Sequence, residues 1–134
     1  MATYGLYSGI NEGSLQSAAS SIKAKISSAR GELESFKGSL TDDMWKASAK
    51  QTLITGYDKL SGEVYAEIEQ QLDNVDSVCS LIAEYKTAEI NAKKCRDQIN
   101  SGNTGFLNNV QRSLQQYEKQ MEECERMISS YCGG

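Results

Sequence analysis

The side chains able to do chemistry are few. Four cysteines, Cys79, Cys95, Cys124 and Cys132, stand at spacings that contain no C-x-x-C pair, so a zinc or iron–sulfur site has no ligand framework. The chain has no histidine, which removes the commonest general base and the commonest metal ligand together. Two acidic pairs, Asp42-Asp43 and Glu122-Glu123, have the chemistry of metal ligands or general acids, but on amphipathic helices such pairs are solvated or complement a helix dipole. No glycine-rich loop follows a strand, so nothing cradles a phosphate. The expectation is a protein that is not an enzyme, with no catalytic residue, no metal and no cofactor.

What positions these few groups is a helical scaffold. The 134 residues suffice for one domain with a modest core, and there is no proline. Alanine, serine, glutamine, glutamate, lysine and leucine carry most of the sequence, which favours long uninterrupted helices. The net charge is −4 with cations scattered among acids, so no nucleic-acid footprint is expected. No apolar run approaches the roughly 20 residues of a membrane span, and the first residues lack the pattern of a cleavable signal peptide.

In chain order, residues 1–13 hold Gly5, Gly9 and Gly13 among Tyr4, Leu6, Tyr7 and Ile10, with turn signals and no helical period; they read as an irregular arm, either poorly ordered as most termini are or docked by its Tyr and Leu side chains on the bundle or on a partner. Ser14 is a reasonable cap for a first helix over 14–38. There Leu15, Ala19, Ile22, Ile26, Ala29, Leu33, Phe36 and Leu40 alternate in steps of four and three as an a/d heptad seam. Gly38 then provides a permissive end, Thr41 a cap, and Asp42 and Asp43 negative charge at the start of a second helix over 41–100. Trp45, the only tryptophan, sits in that first turn and closes the end of a hairpin.

The second apolar series slips from alternating steps to four, four, four between Leu60 and Leu72, beside Gly56 and Gly62, so a bend or break is expected near Gly62. A loop at 100–105 leads to a third helix over 104–131 with its own a/d seam, from Leu107 to Tyr131. The fold class is all-α in a single domain: an elongated antiparallel helical hairpin with a third C-terminal helix. Helix 1 folds back on the front half of helix 2, and helix 3 on its rear half. The alternative is a break at Gly62 and collapse into a compact four-helix bundle.

Two helices at any height leave each seam open on its flanks, so something else should cover the remainder. A homodimer, or a heterodimer with a related helical protein, would do so. With helices 2 and 3 antiparallel about a turn near residue 102, Cys79 and Cys124 fall at the same height. They face each other as reduced thiols or, in a protein that matures outside the cell, as a disulfide.

A helix of about twenty-five residues, a short turn bearing Leu40 and Trp45, and a second amphipathic helix resemble the WXG superfamily of small helical hairpins associated with type VII secretion. The likeness extends to the longer accessory proteins of LXG-type effectors and covers roughly residues 14–95. Where the family motif is Trp-x-Gly, this chain has Trp45-Lys46-Ala47, with Ala47 small enough to keep the turn closely packed. The resemblance implies that Leu40, Trp45 and Ala47 form the turn and partner-binding motif. It also implies a Tyr-x-x-x-Asp/Glu secretion signal, for which Tyr85 and Glu89 are the first choice and Tyr65 and Glu69 the second; residues of a helix face or core are the plainer account of both pairs. The implied function is binding: a substrate or targeting partner of the secretion machinery, paired with itself, a sister protein or an LXG-type effector. Such a protein is cytoplasmic before export and secreted without a cleavable signal. The rival reading is a coiled-coil scaffold of a phage or cell-surface assembly.

Overall fold

The computed structural model describes residues 2–40, 47–102 and 107–133, apart from the Ala47 side chain, and is all-α. Helix α1 spans Glu12–Ser39, α2 Ala47–Lys59, α3 Tyr65–Asn100 and α4 Leu107–Tyr131. A π-helical turn, Leu60–Val64, joins α2 to α3 without a break, so the second expected helix is continuous through Gly62 and the collapsed four-helix alternative is corrected. The slip in apolar spacing has its physical cause there. Positions four apart drift by about 40° per step on an α-helix, and a turn closed five residues back takes up the surplus. The Tyr65 N–H accordingly bonds the Leu60 carbonyl.

The helix ends differ from expectation in two places. Asn11, not Ser14, caps α1: its side-chain oxygen accepts from the Ser14 N–H at 3.0 Å. Gly38 lies inside α1 in ordinary helical backbone, and the helix closes instead on a tight bond from the Leu40 N–H to the Lys37 carbonyl, 3.3 Å. Gly102 does what a terminal glycine should, ending α3 with a φ of +79° that other residues adopt only under strain. Residues 41–46, where the sequence places the turn with Thr41, Asp42, Asp43 and Trp45, lie outside the described residues. Leu40 is buried at the end of α1.

The chain divides into two compact units, Leu15–Asp76 and Met1–Ser14 with Ser77–Gly134. In the first, α1 lies antiparallel to α2 and the start of α3, tied by Lys37–Asp58 at 2.8 Å, Arg30–Glu69 at 2.6 Å, and Lys23 to Asp73 and Asp76. In the second, α4 runs antiparallel to the rest of α3. Its core is Leu81, Ile82, Tyr85, Ala88, Ala92, Met121, Cys124 and Ile128. The arm is not a loose end: Ala2, Tyr4, Tyr7 and Ile10 pack on this core and supply a third layer. That layer is why α3 buries so wide a stripe between Cys79 and Cys95.

Candidate functional site

The α1 seam is used by halves. Ala19, Ile26, Leu33 and Leu40 repeat every seven residues and turn inward, the first two and the last buried and Leu33 half-buried. The companion row Leu15, Ile22, Ala29 and Phe36 also repeats every seven, yet its three large members are 43–46 % exposed. One residue further on, Gln16, Lys23, Arg30 and Lys37 repeat in step and reach across to α2, the π turn or α3. The helix is therefore rotated from an ordinary a/d coiled coil. Its partner-facing stripe is one apolar row plus the polar row beyond it, and the second apolar row is left outside.

The facing strand of helix repeats the arrangement. Tyr57, Ile68 and Val75 each precede an acid that pairs with α1, namely Asp58, Glu69 and Asp76. Consecutive helix residues point about 100° apart, so ion pairs line one flank of the hairpin and the apolar rows line the other. The rings of Phe36 and Tyr57 meet on that apolar flank, centroids 5.7 Å apart. Val64 and Ile68 are exposed there, and a shallow groove of about 360 Å³ is lined by Val64, Glu67, Ile68, Gln71, Leu72 and Val75.

At the π turn, Arg30 has an added role. With the Tyr65 N–H diverted to Leu60, the Ser61 carbonyl accepts from the Arg30 guanidinium at 2.7 Å. Arg30 also lies 5.9 Å from the centroid of the Tyr65 ring. The pair Tyr65 and Glu69 is thus occupied by one arginine within the hairpin.

Tyr85 and Glu89 lie in the other unit, beneath the arm. Tyr85 is fully buried with the Tyr7 ring edge-on against it at 4.9 Å, and Glu89 accepts the Gly5 N–H at 2.5 Å. Burial, then the nearby Glu125 and Glu89 carboxylates, push the Tyr85 phenol up to about 12. Its hydroxyl, which only the Leu6 backbone approaches, and one oxygen of Glu125 are buried without a well-formed hydrogen bond. Lys86 fastens the arm's end, donating to the Ile10 carbonyl at 2.5 Å and to Glu12 at 2.8 Å, which holds the Glu12 carboxyl below its usual range. Arg96 donates to the Tyr4 hydroxyl at 3.0 Å and stacks 4.9 Å from that ring while pairing with Glu118.

Comparison with protein-family models, with curated proteins and with solved structures gives no match. The chain is read from its own geometry.

None of the four cysteines is bridged to another: Cys79, Cys95 and Cys124 are buried and Cys132 is exposed. Cys124 belongs to the central cluster, and burial raises its thiol to about 11, far from a reactive thiolate. Glu122 and Glu123 are exposed on α4 beside Lys119 and Arg126. Among the described residues no cluster of three or more cysteines, aspartates or glutamates is gathered that could hold a metal ion, and no helix is long and apolar enough to cross a membrane. Ala47 is the first residue of α2. Docking of the arm's Tyr side chains on the bundle is one of the outcomes the sequence leaves open; the residues they meet are not legible there. The one signal of docking is the spacing of Tyr4, Tyr7 and Ile10 in steps of three between glycines, too short to carry a period.

Proposed function

We propose that this chain is a non-enzymatic helical binding protein whose contact surface is the apolar flank of the Leu15–Asp76 hairpin. The observation that carries the reading is the second apolar row of α1: Leu15, Ile22 and Phe36 stay largely in water although their spacing is that of a buried seam. Joined by Val64 and Ile68, they form a stripe of the kind that marks an interaction site and that a helix or helical hairpin with its own heptad row would cover. Rotating α1 to bury the stripe would bring the inner row Ala19, Ile26 and Leu40 out of its packing and part the ion pairs on the other flank.

The likeness of Leu40, Trp45 and Ala47 to the WXG sequence pattern gives the reading a context: a substrate or targeting partner of a type VII secretion system, bound to a second copy, a sister protein or an LXG-type effector. In that context Tyr85 and Glu89 are the residues the machinery recognises. Molar mass by light scattering after size exclusion, for the protein alone and co-expressed with the products of neighbouring genes, tests the binding. A dimer that exchanges for a stoichiometric complex with one neighbour supports the secretion partner. A large homo-oligomer indifferent to its neighbours replaces it with a scaffold, and a lone monomer under both conditions removes the binding function.

A further inference from the structure

The arm and what it covers differ in burial. Tyr85, Ala88, Ala92 and Met121 beneath it are sealed from water, whereas Tyr4, Tyr7 and Ile10, which seal them, are only half-buried and Leu6 is exposed. No side chain of the arm is itself a fully buried core residue. Its polar ties run mainly to α3, through Lys86, Glu89 and Arg96, with Glu118 of α4 also at the Tyr4 hydroxyl, and Asn11 marks where it meets α1 with a cap of its own. Segments that bury little of themselves and are held by a few part-buried or exposed bonds belong to the low-stability end of local opening.

The closed state also leaves polar groups unsatisfied. The Tyr85 hydroxyl, approached only by the Leu6 backbone, and a Glu125 oxygen lie buried without a well-formed hydrogen bond, and Glu125 acts electrostatically on both Tyr7 and Tyr85, which places it by the rings that meet under the arm. Lifting the arm would hydrate both groups, so water recovers part of what the apolar contacts lose. Gly5 is the tie at the centre: its φ of +76° aims its N–H at Glu89, a geometry that a side chain there would strain.

We propose that residues 2–10 are a releasable strap that withholds Tyr85 and Glu89 from recognition until it is lifted. That Tyr85 and Glu89 are what a partner reads rests on the functional reading above; that the arm opens and closes over them does not.

The test uses the full chain. Gly5→Pro removes the N–H that Glu89 accepts and forbids the positive φ, and Lys86→Ala releases the other end of the arm; Gly9→Ala, where a methyl meets open space, is the control. Tetranitromethane nitration followed by peptide mapping reads the reactivity of Tyr85 against the exposed Tyr131, with circular dichroism reporting helix content. The expected result is a Tyr85 that reacts on the order of ten times faster in Gly5→Pro and Lys86→Ala, with helix content and Gly9→Ala unchanged. A Tyr85 that stays unreactive in both variants overturns the strap.

Export assayed in the native cell separates the two ideas. If the strap gates recognition, Gly5→Pro is exported several-fold faster and adding Glu89→Ala abolishes the gain. Faster nitration with unchanged export overturns the gating, and export that ignores Glu89 altogether overturns the secretion signal while the nitration result still decides the strap.

Discussion

The ring of Tyr7 stands edge-on to that of Tyr85, centroids 4.9 Å apart and planes 83° apart, so a residue of the arm closes the core of the unit on which it lies. Edge-to-face pairs add about 0.5–1.5 kcal/mol to plain burial. Tyr7→Ala should therefore cost about 1–2 kcal/mol, well short of the roughly 3–5 kcal/mol expected for truncating fully buried Tyr85 to alanine. Urea unfolding of the two variants gives the comparison, and equal losses would show that the arm is as deeply built in as the core.

Tyr85→Phe should do the opposite of most core substitutions. The hydroxyl it removes makes no well-formed hydrogen bond and has only a weak contact with the Leu6 backbone, so its loss should leave stability unchanged or raise it by up to about 1 kcal/mol. A fall of more than about 1 kcal/mol on thermal or urea unfolding would show that the phenol makes a bond worth keeping.

Alkali should unfold the Met1–Ser14 and Ser77–Gly134 unit. The folded state raises Cys124 from 9.0 to about 11 and Tyr85 from 10.0 to about 12, in both cases first because burial disfavours the anion. The stability tied to each group is complete below its unfolded value and is lost as pH rises through the folded one. The window runs from pH 9.0 to about 11 for Cys124 and from pH 10.0 to about 12 for Tyr85. Each contributes a slope of at most about 1.4 kcal/mol per pH unit. Urea midpoints measured at pH 8 and pH 10.5 should fall sharply, and Cys124→Ala should flatten the lower part of that fall.

The helices were legible in the sequence because proline-free heptad rows leave few alternatives. The rotation of α1 was not. Leu15, Ala19, Ile22 and Ile26 are all apolar, and the seven-residue repeat of Lys23, Arg30 and Lys37, paired with acids on the facing helix and continued by Gln16 on the Asp76 carbonyl, is what marks the row that turns inward. Cross-helix charge matching is a tertiary property. The cap moved from Ser14 to Asn11 for a local reason, since both residue types cap well and the arm's packing fixes where the chain enters the helix. The slip between Leu60 and Leu72 was visible as a phase error, but a π turn and a break leave the same mark on an apolar pattern.

Arg30 should matter more than an exposed ion pair does. It holds Glu69, the Ser61 carbonyl at the π turn and the face of Tyr65, so Arg30→Ala should cost about 2 kcal/mol against the 1 kcal/mol or less of a solvated pair. Gly62→Ala, within the same turn and with open space around the new methyl, should raise stability by up to about 1 kcal/mol. A loss in Gly62→Ala would show that the π turn needs a glycine and is not set by the spacing of its neighbours.

Two isoleucines four residues apart give the sharpest separation of folding from binding. Ile26 is buried between α1 and its facing helix, and Ile22 lies outside it at 43 % exposure. Ile26→Ala should cost about 2–4 kcal/mol in the isolated protein. Ile22→Ala should cost under about 1 kcal/mol there, as a substitution at a largely solvated position does. Adding the partner reverses the order of interest: Ile22→Asp should leave the unfolding midpoint of the free protein nearly unchanged yet weaken association at least about tenfold, because a carboxylate buried at a helical interface loses its water. Unfolding curves on the monomer and titration calorimetry on the complex read the two effects apart. If Ile22→Ala destabilises the free monomer as much as Ile26→Ala does, the outer row belongs to the core of a single chain and offers no surface to a partner.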